Sequence, residues 1–298
     1  MAKVLQDFSN ALADVVAEAG KGAVRVEARR RLPATGIIWS ADGVIVTSNH
    51  VVERDDNISV GLPDGKSAPA TLVGRDPSTD LAVLRVQATG LPASAQADVN
   101  SLRVGHLVLA LGRPGESVLS TLGVVSAIGE SWHTPAGGPV DHYIQTDVVM
   151  YPGFSGGPLV DMAGQVIGLN TSGMLHGVSL VVPAPTLRRV VDTLLTRGRI
   201  ARGYLGVGAQ PVRLPAALSE QLNQETGLLF VSVEPGSPAD QAGLLLGDTL
   251  VGLEGQALRQ MDDLMTLLSG DKVGKSVSVR IVRGGKVQDV SVTIGERP

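Results

Sequence analysis

The sequence predicts a mainly β chain: a barrel or sandwich of two packed β units, followed by a smaller α+β domain. Length is the first observation, because 298 residues correspond to about two domains at ~150 residues each. Composition is the second. Glycine supplies 37 of the 298 residues and aromatics only 3%, against a usual glycine share of ~7%, so the core must be aliphatic and the turns tight. Texture is the third. From Ala23 to about Val182 short runs of Val, Leu and Ile are punctuated by Gly, Pro, Asp and Asn, the pattern of short strands joined by turns.

Taken in order, Val4, Leu5, Phe8, Leu12, Val15, Val16 and Ala19 recur at helical spacing up to Gly20, which predicts an N-terminal helix. Strands are expected at Gly43–Thr47, Leu81–Val86, Leu107–Leu111, Gly123–Ile128, Gln165–Leu169 and Val178–Val182. The seam between the two β units falls near Val99–Val104, where a polar stretch follows Leu91-Pro92. Leu187, Val190, Val191, Leu194 and Leu195 form a second helical stripe that stops at Arg197-Gly198-Arg199. The first domain is therefore read as 1–197, a linker as 198–202 and the second domain as 203–298. The second domain is expected to hold strands at Tyr204–Val207, Leu228–Val233, Ser276–Val282 and Val287–Ile294. It also holds a short helix from Pro238 and a longer one carrying Met261, Leu264, Leu267 and Leu268. No internal repeat is evident.

Several function classes are excluded. The formal charge is −4 with a pI near 5.7, which gives no general electrostatic reason to bind nucleic acid or anionic lipid. Without cysteine there is no disulfide, thiol nucleophile or thiolate zinc site. Hydrophobic residues at 43% and charged residues at 18% exclude bulk disorder. No apolar run approaches the ~18 residues of a membrane span. No basic segment precedes an apolar core at the N-terminus, so no signal peptide is expected within this chain. The histidines His106, His133, His142 and His176 lack ligand spacing, and no metal or organic cofactor is expected. Arg29-Arg30-Arg31 reads as a solvated loop, and Asp147 and Asp161 as turn anchors.

The most informative string is Gly153-Phe154-Ser155-Gly156-Gly157-Pro158. A serine among glycines suits a tight turn whose backbone N–H groups converge on one point, since Gly has no Cβ to obstruct turn or substrate. Chain order separates the two fold types that use such a turn. An α/β-hydrolase needs its acid and then its histidine after the serine, and here only His176 follows, too closely. Upstream, His50 lies in Thr47-Ser48-Asn49-His50-Val51-Val52 and Asp80 begins Asp80-Leu81-Ala82-Val83-Leu84. The order His, Asp, Ser is that of chymotrypsin, with the first two residues on one β unit and the third on the next. In this reading His50 takes the Ser155 proton and later gives it to the leaving amine, while Asp80 holds the imidazole tautomer. Backbone N–H groups of Gly153 and Ser155 bind the developing oxyanion, each donor worth ~3 kcal/mol.

These strings, with Gly112-Arg113-Pro114, Gly123-Val124-Val125-Ser126-Ala127 and Gln145-Thr146-Asp147, resemble the HtrA/Deg family of serine proteases over nearly the whole chain. The resemblance implies a chymotrypsin/trypsin-like double β-barrel followed by a PDZ domain. It also implies a homotrimer or larger assembly and a periplasmic or envelope location, a cytoplasmic one staying open; Phe8 and the N-terminal stripe are read as ordinary core packing, or alternatively as the interface that the family's trimers form from such residues. Two positions depart from the family pattern: Phe154 and Tyr151 stand where the family usually has Asn. The base of the specificity pocket in trypsin-fold proteases lies six residues before the serine, which is Val149. With Met150, Val178 and Leu180 this predicts a pocket for small or medium aliphatic residues.

In the second domain, Arg202-Gly203-Tyr204-Leu205-Gly206-Val207 resembles the carboxylate-binding loop and following strand of a PDZ domain. Tyr204, Leu205, Gly206 and Val207 are expected to form one wall of a peptide groove and Leu264 and Leu268 the other, with Arg202 either solvated or assisting with the peptide carboxylate. The expected function is that of an ATP-independent serine endopeptidase acting on unfolded or damaged polypeptides, with C-terminal peptides bound at the PDZ groove. The alternative is a catalytically silent chaperone or peptide-binding scaffold of the same fold, favoured by Phe154 and Tyr151.

Overall fold

The computed structural model describes residues 1–175, 177–268 and 272–296, and the chain divides into two compact units, Met1–Ile200 and Ala201–Pro298. The first opens with α1 (Ala2–Ala19). Leu12, Val15, Val16 and Ala19 on its C-terminal half pack on the core, whereas Val4, Leu5 and Phe8 are exposed.

Strands β1 (Ala23–Glu27), β2 (Ala34–Ser40), β3 (Val44–Ser48), β4 (Ile58–Gly61), β5 (Ser67–Asp76) and β6 (Leu81–Val86) follow. They close into an antiparallel barrel in the order β1-β2-β3-β6-β5-β4, with β4 returning to β1. After a connecting stretch come β7 (Leu107–Gly112), β8 (Leu119–Gly129), the small hairpin of β9 (Trp132–His133) and β10 (Pro139–Val140), then β11 (Tyr143–Thr146), β12 (Pro158–Val160), β13 (Val166–Thr171) and β14 (Ser179–Pro183). Leaving out the hairpin, these close into a second six-stranded barrel, β11-β14-β13-β12-β7-β8. Read around the ring, the two barrels share one strand order. The fold therefore repeats although the sequence shows no repeat: closure constrains strand count and pairing, while any aliphatic residue of suitable volume fills the inside.

Each barrel has its own aliphatic filling, and a third cluster joins them. Ile37, Val44, Val46, Leu81 and Val83 of the first barrel meet Leu109, Leu111, Val160, Val166, Leu169 and Val182 of the second. The helix α2 (Ala184–Arg197) lays Leu187, Val190, Val191 and Leu194 on that seam. Its Pro185 lies in the first turn, where a missing N–H costs nothing.

The second unit contains β15 (Gly203–Tyr204), β16 (Val207–Arg213), α3 (Ala216–Leu222), β17 (Thr226–Val233), α4 (Pro238–Gln241), β18 (Thr249–Leu253), β19 (Gln256–Ala257), α5 (Met261–Leu267), β20 (Ser276–Arg283), β21 (Lys286–Thr293) and β22 (Gly295–Glu296). Its main sheet runs β16-β17-β18-β20-β21. The strand expected at Tyr204–Val207 is interrupted: the chain turns at Gly206, where φ is +80°, and a side chain there would collide with Ser237. Asp248, 1% exposed, accepts from the Arg283 guanidinium at 2.6 and 2.7 Å and from Leu245 N–H at 2.8 Å. Removing the cation leaves a buried carboxylate without its partner. Arg283→Ala is therefore expected to destabilise this unit by about 3 kcal/mol, read by hydrogen exchange within residues 201–298 across a urea series.

Candidate active site

Asp80 and His50 come from the two sides of one strand pair in the first barrel. Thr47 and Ser48 at the end of β3 pair with Ala82 and Leu81 at the start of β6, so the residues just beyond, His50 and Asp80, are brought side by side. His50 follows in a 3-10 turn, Asn49–Val51, fixed by Asn49 N–H donating to the Asp80 carbonyl at 2.9 Å. Asp80 itself has φ +56°, a left-handed conformation that Asp tolerates better than most residues. Its side chain turns inward, 7% exposed. There it accepts the His50 backbone N–H at 2.8 Å, the His50 ring at Nδ1 at 2.7 Å, and the Thr171 hydroxyl. A carboxylate in this setting only accepts, so Nδ1 carries the proton and Nε2 is left as the basic nitrogen.

The second barrel reaches this pair through the end of β13. Thr171 bonds Asp80 and is itself held by Gly173 N–H at 2.9 Å. Ser172 Oγ lies 3.1 Å from Ser155 Oγ. Gly173 passes so close to the ring that a Cβ there would sit 2.7 Å from His50 Nδ1. Three successive residues thus touch Asp80, Ser155 and His50 in turn. The sequence reasoning missed all three; their only signal is a run of small polar residues, Asn170-Thr171-Ser172-Gly173, directly after an apolar strand. Ser155 hydrogen-bonds Ser172, and no Ser155–His50 hydrogen bond is formed among the described residues.

The turn bearing Ser155 is fastened to both barrels. Thr35 N–H donates to the Ser155 carbonyl at 3.2 Å and Gly156 N–H to the Asn170 carbonyl at 2.9 Å. Thr35 Oγ1 donates to the Gly153 carbonyl at 2.6 Å and accepts from Arg113 N–H at 2.7 Å. Gly153 has φ +92°, and a side chain there would meet Pro114 at 2.5 Å and the Pro33 carbonyl at 2.9 Å, so glycine is required twice over. Neither Gly153 N–H nor Ser155 N–H donates to another group among the described residues.

Among the expected specificity residues, Val149 is 55% exposed and its carbonyl accepts from Thr121 Oγ1 at 3.0 Å. Leu180 is buried, and Met150 and Val178 are half-buried. His176 lies outside the described residues. In the second unit, among the described residues, β16 pairs in its sheet only with β17, and α5 packs beside it. Tyr204 and Val207 are half-buried, and the Tyr204 hydroxyl bonds Glu234. Leu205 and Leu264 belong to the unit's core. Leu268 accepts Gly203 N–H at 3.0 Å through its carbonyl, and Arg202 is half-buried. Asp147 accepts Val124 N–H at 2.6 Å and Asp161 accepts Ala163 N–H at 2.9 Å, both as loop anchors.

Comparison with known proteins agrees with this architecture. The trypsin-like peptidase domain family matches residues 34–169 and the PDZ domain family residues 203–294. A protein of Marinomonas sp. named probable periplasmic serine endoprotease DegP-like is 39% identical over 288 residues, covering 94% of this chain and 60% of that protein. One of the same name from Chlamydia pneumoniae is 37% identical, covering 91% and 57%. The chain thus spans less than two thirds of the length of these curated relatives. Among solved structures, the HtrA-type protease AlgW with a tripeptide is 32% identical with a TM-score of 0.78, covering 96% of this chain and 97% of that one. A serine endoprotease from Yersinia pestis is 29% identical with a TM-score of 0.79, covering 96% and 98%. From its double barrel, its PDZ unit and these likenesses, the chain belongs to the HtrA/Deg family of serine proteases.

Proposed function

We propose that the chain is an ATP-independent serine endopeptidase that degrades unfolded or damaged proteins, with Ser155 as nucleophile, His50 as general base and Asp80 as its orienting carboxylate. The observation that carries this reading is the contact of Thr171, Ser172 and Gly173 with Asp80, Ser155 and His50 in succession. As Ser155 turns from Ser172 toward His50 Nε2, the imidazole takes its proton and Oγ attacks the scissile carbonyl. The C–N bond then breaks as the imidazolium returns that proton to the leaving amine, and water repeats the sequence on the acyl-enzyme. The Gly153 and Ser155 N–H groups receive the oxyanion. Peptide hydrolysis is downhill, so no nucleotide is needed once the substrate is unfolded.

Val149, Met150, Val178 and Leu180 offer no carboxylate to an incoming Arg or Lys, which supports cleavage after small or medium aliphatic residues. In the second unit the edge of β16 beside α5, unpaired among the described residues, suits a C-terminal peptide added as a strand. Exposed Val4, Leu5 and Phe8 on α1 support a homotrimer or larger assembly. Relatives named periplasmic support a periplasmic or envelope location; among the described residues no helix is long and apolar enough to cross a membrane.

Two experiments test this reading. Casein incubated with the wild type should yield fragments ending mainly in Ala, Val, Leu or Ile, mapped by mass spectrometry, and Ser155→Ala should leave casein intact. Dominant cleavage after Arg or Lys would refute the pocket, and equal digestion by Ser155→Ala would refute the nucleophile. Thr171→Val removes one donor from the buried carboxylate, a charged hydrogen bond worth ~1.5–3 kcal/mol. Steady-state kinetics on a peptide carrying a mapped site should show kcat down about tenfold with KM nearly unchanged.

A further inference from the structure

Phe154 immediately precedes the proposed nucleophile, yet it is 0% exposed and is among the largest fully buried side chains of the protein. Its ring enters the core of the second barrel with Val108, Val148 and Leu159 and lies flat against the backbone at Gly112. A Cβ on Gly112 would sit 2.5, 2.8 and 2.9 Å from Phe154 Cδ1, Cε1 and Cγ, so the ring occupies space that only a glycine leaves open. Tyr151 covers it edge-on, with ring centroids 5.8 Å apart and planes at 75°. The backbone is tied on each side: Phe154 N–H donates to the Tyr151 carbonyl at 3.0 Å and Gly157 N–H to the Phe154 carbonyl at 2.9 Å.

We propose that Phe154 is a positioning residue, whose ring seated on Gly112 holds the Gly153–Ser155 turn with both N–H groups facing the oxyanion. This rests on the protease reading above. A peptide turn rich in glycine has many conformations, and only one presents both donors together. The polar side chain that the family pattern expects at position 154 would gain nothing by entering this apolar core, whereas a phenyl ring leaves water only by entering it. Burial of the ring therefore selects the one arrangement of the turn, and Gly112 supplies the seat. The Phe154 ring packs on Gly112 and meets the Tyr151 ring edge-on.

The test uses the full chain in four forms: wild type, Phe154→Ala, Gly112→Ala, and Gly112→Ala combined with Phe154→Leu. Each is measured for folding by thermal melting, for kcat and KM on a peptide carrying a mapped cleavage site, and for affinity to a peptidyl boronate with Val at the cleavage position. The boronate adduct is tetrahedral and reports the oxyanion donors. Phe154→Ala and Gly112→Ala should each lower kcat by about 100-fold and weaken boronate binding in parallel, with KM within about twofold, as misplaced groups do. The smaller Leu makes room for the new methyl, so the double variant should recover at least about tenfold of the loss in Gly112→Ala, as volume-conserving repacking allows. Folded Phe154→Ala and Gly112→Ala with wild-type kcat and boronate affinity would overturn the proposal. If Phe154→Ala does not fold, a folded double variant showing no recovery over a folded Gly112→Ala overturns it equally. A wild type that neither cleaves the peptide nor binds the boronate would overturn the protease reading and this proposal with it, which separates the two failures.

Discussion

The Asp80 carboxylate is the group on which the rest of the site depends. It is buried, it sits in a left-handed backbone conformation, and its three donors come from both barrels: two from His50 in the first and one from Thr171 in the second. Taking a carboxylate out of water costs several kcal/mol, and a left-handed non-glycine residue adds about 1–3 kcal/mol. Three hydrogen bonds to a charged acceptor, each worth about 1.5–3 kcal/mol, offset that cost only when both barrels are docked. The same interaction that fixes the imidazole therefore also requires the seam between barrels to be closed.

That seam is mostly aliphatic, and the polar contacts across it are few and placed beside the chemistry. Thr35 at the start of β2 accepts from Arg113, donates to Gly153 and receives the Ser155 carbonyl on its own N–H. The turn bearing Ser155 is thus bonded to the first barrel although it belongs to the second. Packing supplies rigidity, and a handful of hydrogen bonds supply registration, which is the division of labour expected where geometry must hold within fractions of an ångström.

Much of this was legible in the sequence because it depends on order and periodicity. The chain order His50, Asp80, Ser155 by itself excludes the hydrolase arrangement, and the strand Leu81–Val86 has the same bounds in the structure. Other features carry no periodic signal. Thr171, Ser172 and Gly173 are small residues at a strand end, indistinguishable from a turn. β8 extends to Leu119–Gly129, beyond the apolar core of Gly123–Ile128, because half of its length faces solvent and admits Ser and Thr. Phe154 is flanked by residues that read as an exposed turn, so its burial depends on Gly112, distant in sequence. Counting six residues back from Ser155 fixes the place of Val149 along the chain but carries no information on the direction of its side chain.

If His50 activates Ser155 across the two barrels, as proposed, a fluorophosphonate probe reads that activation at the hydroxyl itself. Mass spectrometry of the labelled wild type should place a single phosphonyl adduct on Ser155, and His50→Ala should suppress that adduct at equal protein concentration. An unlabelled wild type, or an adduct formed equally fast without the imidazole, would contradict the account.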